Sequence, residues 1–252
     1  MTRTDNIVTN PYMAHFLFIH GAWHGGWCFD ALAPLLAAHG NTMSAPDLPG
    51  MGGTEEELAA VTLAGWADYV ADLARAMPSP LILAGHSRGG IVISEVAERI
   101  PEQICALVYI TAMMLPSGMA RTDLKTIFSP NKPFENIISP TPGRGGSVVD
   151  KTRAPDIFAQ LAPRPMAEAA AARTVAEPAA PRTTPLHLTA ERYGRLPRHY
   201  VECTEDRTIP LADQQRMIAM QPDTIVHTLE SDHSPYLCMP ERLTEILAAI
   251  TG

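Results

Sequence analysis

The residue best placed to act as a nucleophile in this chain is a serine between glycines. Gly85-His86-Ser87-Arg88-Gly89 reads G-x-S-x-G, with the apolar run "LILA" before it and a segment of helical spacing from about Gly89 onward. A serine at a sharp strand-to-helix turn adopts a strained backbone conformation, and flanking glycines remove the Cβ atoms that would collide there. The hydroxyl is then held clear of the sheet. The amides at the start of the following helix point to where a tetrahedral oxyanion would form. The competing reading of the same five residues is an ordinary tight β–α turn.

A serine hydroxyl is a weak nucleophile at neutral pH and needs a base, which in turn needs an orienting acid. In a parallel-sheet setting the expected chain order is Ser, acid, His. Asp206 fits the acid because "RHYVECTEDRTIP" ends a strand and carries the carboxylate into the loop beyond it, with Glu205 and Asp213 as competitors. His233 fits the base because "TIVHTLESDHSP" ends another strand just before it. Of the other histidines, His227 falls inside a strand, and His15, His39, His187 and His199 have no partner pattern. His20, His24 and His86 converge on the serine by loop position, but no carboxylate or cysteine stands beside them, so no metal site is expected. His20 and His86 are expected to hydrogen-bond loop backbone at the edge of the substrate site. In the loop "HGAWHGGW" the Ala22 amide is a candidate oxyanion donor beside that of Arg88, and Trp23 and Trp27 either wall the pocket or pack in the core.

The elements that must position these residues are legible as short, continuous apolar runs: "HFLFIH", "NTMSAP", "LILAG", "ICALVYI", "RHYVEC" and "TIVHTL". Continuous runs fit strands covered on both faces. Helical spacing occupies 27–39, 63–77, 89–100, 211–220 and 240–250. Strand and helix alternate, which predicts an α/β fold with a mostly parallel sheet and helices on both sides. The rhythm stops between 112 and 196, where proline, alanine and arginine dominate and no strand pattern appears. That stretch reads as an inserted cap between core segments 13–111 and 197–252. Within it "APDIFAQL" and "RPMAEAAAART" look helical, and "SPNKPFENIISPTPGRGG" reads as irregular turn. Its apolar residues Phe128, Phe134, Ile137, Phe158, Leu161 and Met166 are candidates to roof a pocket, or else to form the cap's own core. Residues 1–12 are a polar, unpatterned leader, and Met13 is a candidate start.

The 252 residues carry 19 Lys and Arg against 27 Asp and Glu, a formal charge of −8, with no basic run. That leaves nothing to hold a nucleic-acid backbone or an anionic membrane face. Cys28, Cys105, Cys203 and Cys238 lie far apart without C-x-x-C spacing, so reduced thiols in a cytoplasmic protein are expected. The start of the chain lacks a signal-peptide pattern, and "AHFLFI" is too short to span a bilayer. No cofactor is implied, and oligomeric state is not readable.

Taken together, "FIHGAWHGGW", "APDLPGMG", "LILAGHSRGG", "YVECTEDRTIP" and "ESDHSPYL" resemble the α/β-hydrolase superfamily, in particular its branch of plant methyl salicylate and methyl jasmonate esterases and hydroxynitrile lyases with small bacterial relatives. The resemblance implies a Ser87, Asp206, His233 triad, oxyanion amides at Ala22 and Arg88, and hydrolysis of a small carboxylic ester through an acyl-enzyme. Lyases of that branch carry a threonine after the first-loop histidine and a lysine after the catalytic histidine. Here those positions are Gly21 and Ser234, so departing cyanide would lack its cation and an esterase is favoured. Arg88 departs from the apolar residue usual after the nucleophile, and is expected to pair with a buried acid or to face a carboxylate-bearing substrate. A lactonase, a lyase and a ligand-binding receptor on the same fold are the alternatives.

Overall fold

The computed structural model describes residues 13–251, so the leader expected at 1–12 lies outside the described residues. In chain order the elements are β1 (His15–Ile19), α1 (Leu32–Ala38), β2 (Thr42–Ser44), α2 (Glu55–Ala60), α3 (Leu63–Arg75), β3 (Leu81–His86), α4 (Gly89–Arg99) and β4 (Ile104–Ile110). There follow α5 (Lys132–Glu135), β5 (Ile138–Pro140), β6 (Gly146–Val149), α6 (Ala154–Phe158), α7 (Arg164–Ala172) and β7 (Glu177–Pro178). The chain ends with β8 (Arg198–Cys203), α8 (Leu211–Ala219), β9 (Thr224–Leu229), α9 (Pro235–Cys238) and α10 (Pro240–Ile250).

The six expected strands form one parallel sheet in the order β2-β1-β3-β4-β8-β9. Side chains alternate between its faces. Leu17, Ile19, Leu81, Leu83, Leu107, Tyr109 and Tyr200 join α3 and α4 in one core, and Phe16, Phe18, Ile82, Ala84, Val108, Ile110 and Val201 join α1 and α10 in the other. A run that is apolar at every position is therefore what two covered faces require. The edge strand β9 departs from that expectation, with Ile225 52% and Val226 42% exposed. It has a neighbour on one side only, and of its residues only Leu229 at the C-terminal end is buried in the core with α10.

Two local departures have causes in individual residues. The helix expected at 27–39 splits into a 3-10 turn, Gly26–Phe29, and α1, because Pro34 has no N–H to give and fits only in a first turn. Helix α2 was not marked by periodicity, yet it carries a capping box: the Thr54 hydroxyl accepts from the Glu57 amide at 3.3 Å, and Glu57 accepts from the Thr54 amide at 2.7 Å.

Between β4 and β8 the chain contains α6 and α7 as expected, but also an antiparallel sheet β5-β6-β7 in a region where no strand pattern was read. Its strands are two to four residues long, too short for alternation to register. Part of the segment expected to be irregular thus pairs, Ile138 with Val149 and Ser139 with Val148. Phe134, Ile137, Val149, Ile157 and Phe158 pack with Trp23 from the first loop into a separate small core. Among the described residues no helix is long and apolar enough to cross a membrane.

Candidate active site

Ser87 directly follows β3 with φ of 52°, in the left-handed region that a side-chain-bearing residue adopts only under constraint. The constraint is backbone. Its carbonyl accepts from Gly90 at 3.1 Å and Met113 at 2.9 Å, and its amide donates to Ile110 at 3.2 Å. A Cβ on Gly89 would lie 2.3 Å from the Ile19 carbonyl oxygen, so only glycine lets α4 start this close to β1.

Parallel strands deliver their C-terminal loops to one edge of the sheet, and there the three expected residues meet. The His233 Nε2 lies 3.0 Å from the Ser87 Oγ, and its Nδ1 lies 2.6 Å from the Asp206 Oδ2. An ionised carboxylate only accepts, so Nδ1 carries the proton and Nε2 offers its lone pair to the serine hydroxyl. Asp206 is held on both oxygens. Oδ1 accepts from the Thr208 and Ile209 amides at 2.6 and 2.9 Å, and Oδ2 also accepts from the Thr111 hydroxyl at 2.5 Å. Thr111, at φ of 37° just past β4, was not singled out from the sequence. A β-branched residue at positive φ signals strain. The His233 loop is fixed by two further groups: its carbonyl accepts from His86 Nε2 at 2.7 Å, and buried Asp232 accepts from the Ser234 and Leu161 amides at 2.9 and 2.7 Å. Of the competing acids, Glu205 is exposed, and Asp213 pairs with Arg216 in the first turn of α8.

The first loop is organised around one peptide plane. The Leu48 amide donates to His20 Nε2 at 3.0 Å, so the His20 proton sits on Nδ1 and goes to the Gly21 carbonyl at 2.9 Å. Burial, with the Arg88 charge nearby, pushes the His20 pKa down to about 3 and keeps it neutral. The Arg88 Nη2 donates to the same carbonyl at 3.0 Å. In a trans peptide the C=O and the next N–H point in opposite directions. Two donors on the Gly21 oxygen therefore turn the Ala22 N–H the other way. Ala22 and Arg88 both line the chamber beside Ser87, and neither backbone N–H donates to another group among the described residues. His24 donates to the Ala22 carbonyl at 2.7 Å, with a pKa lowered by burial to about 4.

That chamber has a volume of about 60 Å³ and opens into a groove of about 710 Å³ between the two sheets' loops. Trp23, His86 and Phe158 line the chamber, and Phe128 lines the groove. Two of the expected contacts are corrected. His20 is fully buried, spends both ring nitrogens on the loop and lines neither space. Met166 is 45% exposed and also lines neither, because α7 turns Ala167, Ala170 and Ala171 inward and leaves Met166 outside. Leu161 is likewise exposed. The side chain of Arg88 is buried with its Nε 3.6 Å from the Glu177 carboxylate and its guanidinium 4.2 Å over the Trp66 ring. Arg121, Arg182 and Glu177, which also line the chamber, carried no sequence signal.

A model of the alpha/beta hydrolase family matches residues 16–246. The pyrethroid hydrolase of Sphingobium wenxiniae is 32% identical over 243 residues, covering 92% of this chain and 85% of that protein. Methylesterase 1 of Arabidopsis thaliana is 28% identical, with 94% of this chain and 95% of that one covered. Among solved structures, a pyrethroid hydrolase from Sphingobium faniae JZ-2 matches with a TM-score of 0.83 at 30% identity, covering 95% of this chain and 98% of that one. The match runs through both sheets and every loop of the site, and the chain belongs to the alpha/beta hydrolase family.

Proposed function

We propose that the protein is a serine esterase that cleaves small carboxylic esters through an acyl-enzyme, with Ser87 as nucleophile, His233 as base and Asp206 as its orienting acid. The observation that carries this reading is the relay from Ser87 Oγ to His233 to Asp206 at 3.0 and 2.6 Å, on the wall of a chamber with two undirected amides. As the Ser87 oxygen bonds to the ester carbonyl carbon, its proton passes to Nε2 of His233. The Asp206 charge stabilises the resulting imidazolium, and the Ala22 and Arg88 amides receive the oxyanion. His233 then gives the proton to the departing alkoxide, and in the second half it deprotonates the water that releases the acid. Residues 112–196 serve as the cap that walls the chamber with Phe134 and Phe158.

A hydrolase and a methylesterase among the relatives favour ester cleavage over the lyase. So does the site. A side chain at Gly21 would begin 2.9 Å from the Ser87 Cβ, and Ser234 is buried with its hydroxyl on Tyr236, so neither the threonine nor the lysine expected of the lyases stands at these positions. The test is steady-state hydrolysis of p-nitrophenyl and methyl esters by the wild type beside Ser87→Ala. Multiple turnovers that fall on the order of 10⁴ to 10⁶-fold in the variant are expected. A Ser87→Ala protein that retains activity would refute the scheme, and a wild type that binds but never turns over esters would favour a receptor.

A further inference from the structure

The chamber beside Ser87 holds more positive charge than ester cleavage uses. Arg88, Arg121, Arg182 and Glu177 all line it, three cations and one acid, a formal balance of 3 − 1 = +2. The acid does not satisfy them. Arg88 is 4% exposed, and its contact to Glu177 at 3.6 Å is too long for a hydrogen bond, leaving Nε and Nη1 buried without one. Arg182 approaches Glu177 only to 3.9 Å and otherwise touches the Ser147 hydroxyl at 3.4 Å. The Arg121 side chain makes no hydrogen bond and no ion pair within 4.0 Å among the described residues, and burial lowers its pKa.

A desolvated guanidinium short of partners is costly, and Arg121, whose side chain has none, stands beside Arg182 and Arg88, whose contacts to Glu177 are too long for hydrogen bonds, an arrangement suited to an anion. Arg121 and Arg182 stand where the chamber meets the groove, since both spaces are lined by them. An anion held there lies next to a carbonyl bound at Ser87. The groove beyond offers apolar wall from Leu124, Phe128 and Ile209 for the rest of the molecule. The planar fork of arginine matches a carboxylate or a phosphate, and the Glu177 charge within the cluster favours the monoanion.

We propose that the substrates of this site are esters that also carry a free carboxylate, bound by Arg121 and Arg182 with Arg88 behind them, a few bonds from the scissile carbonyl. The proposal rests on the esterase reading of Ser87 and names its substrate class.

The experiment compares kcat/KM, followed by proton release, for monomethyl glutarate against methyl valerate and for 4-acetoxybutanoate against butyl acetate. The first pair carries the anion on the acyl side and the second on the alcohol side. In at least one pair the carboxylate-bearing ester is expected to be preferred at least about tenfold, the range of a hydrogen bond to a charged group. Arg121→Met with Arg182→Met should bring that ratio to about one or below, while Arg121→Lys should keep part of it, with thermal melts to show that each variant is folded. Preference for the neutral ester in both pairs, or a carboxylate preference that survives the double variant, would overturn the proposal. If the wild type cleaves no ester, the esterase reading fails separately, and the anion site is judged by calorimetric binding of monomethyl glutarate. Binding at least tenfold weaker in Arg121→Met supports it, and absent or equal binding refutes it.

Discussion

Asp206→Asn isolates what the acid does, because the hydrogen bonds around it permit only one orientation of the amide. Oδ1 receives two backbone N–H groups at 2.6 and 2.9 Å, so the asparagine oxygen must occupy that position; the flipped amide would set two donors against two donors. The NH₂ then stands where Oδ2 stood, 2.6 Å from His233 Nδ1 and 2.5 Å from Thr111. Facing a donor, Nδ1 must give up its proton, which moves to Nε2 and points at Ser87. A base has become a donor with nothing to accept. The same tautomer reversal in a serine protease costs about 10⁴ in kcat, or roughly 5.5 kcal/mol of barrier at 1.36 kcal/mol per decade. Asparagine keeps both backbone bonds, so the melting temperature should move little. Asp206→Ala instead strands two buried amides and should lose on the order of 1–3 kcal/mol for each. Initial rates of ester hydrolysis by the wild type and both variants, with urea denaturation in parallel, separate the two effects. An Asp206→Asn enzyme with more than a tenth of wild-type kcat would refute the tautomer argument.

Thr111→Val keeps shape and β-branching but removes the 2.5 Å bond to Asp206, and should cost about 1.5–3 kcal/mol in urea denaturation; unchanged stability would make that contact incidental. Gly21→Ala places a Cβ 2.9 Å from the Ser87 Cβ and 3.0 Å from His86 Nδ1. Displacing the nucleophile against His233 should lower kcat on the order of 10²-fold, and an unaffected rate would show that the loop gives way instead. His20 and His24 have folded pKa values of about 3 and about 4 against an ordinary 6.5. The unfolded chain therefore binds the extra protons, and stability present above pH 6.5 is lost as pH falls, by about 2 kcal/mol for each histidine at pH 5. Denaturation midpoints that are equal at pH 7 and pH 5 would contradict their neutral burial.

The parts of the site that the sequence disclosed are those made by covalent neighbours. The G-x-S-x-G turn carries its own strand, glycines and helix start, and Asp206 and His233 each follow a recognisable strand within a few residues. The remainder depends on contacts between distant segments. Arg121, Glu177 and Arg182 come from a 3-10 turn, a two-residue strand and another turn, and nothing periodic links them. Met166 was misplaced because "RPMAEAAAA" is alanine at most positions, so its apolar stripe has no unique phase and the buried side of α7 is set by packing alone. The β5-β6-β7 sheet was missed for a related reason: strands this short derive their pairing from one another rather than from alternation.

His20 and Arg88 show how little residue type alone reveals. Each is a possible substrate contact by type, and each puts a donor on the Gly21 carbonyl. Their shared effect falls on the next amide, since fixing that oxygen fixes the direction of the Ala22 N–H through the rigid peptide plane. Arg88 thus bears on the proposed oxyanion site twice, through its own amide and through the side chain that orients the other. The same guanidinium leaves Nη1 unpaired beside the chamber. One residue after the nucleophile therefore joins the geometry of the oxyanion amides to the positive charge along the chamber.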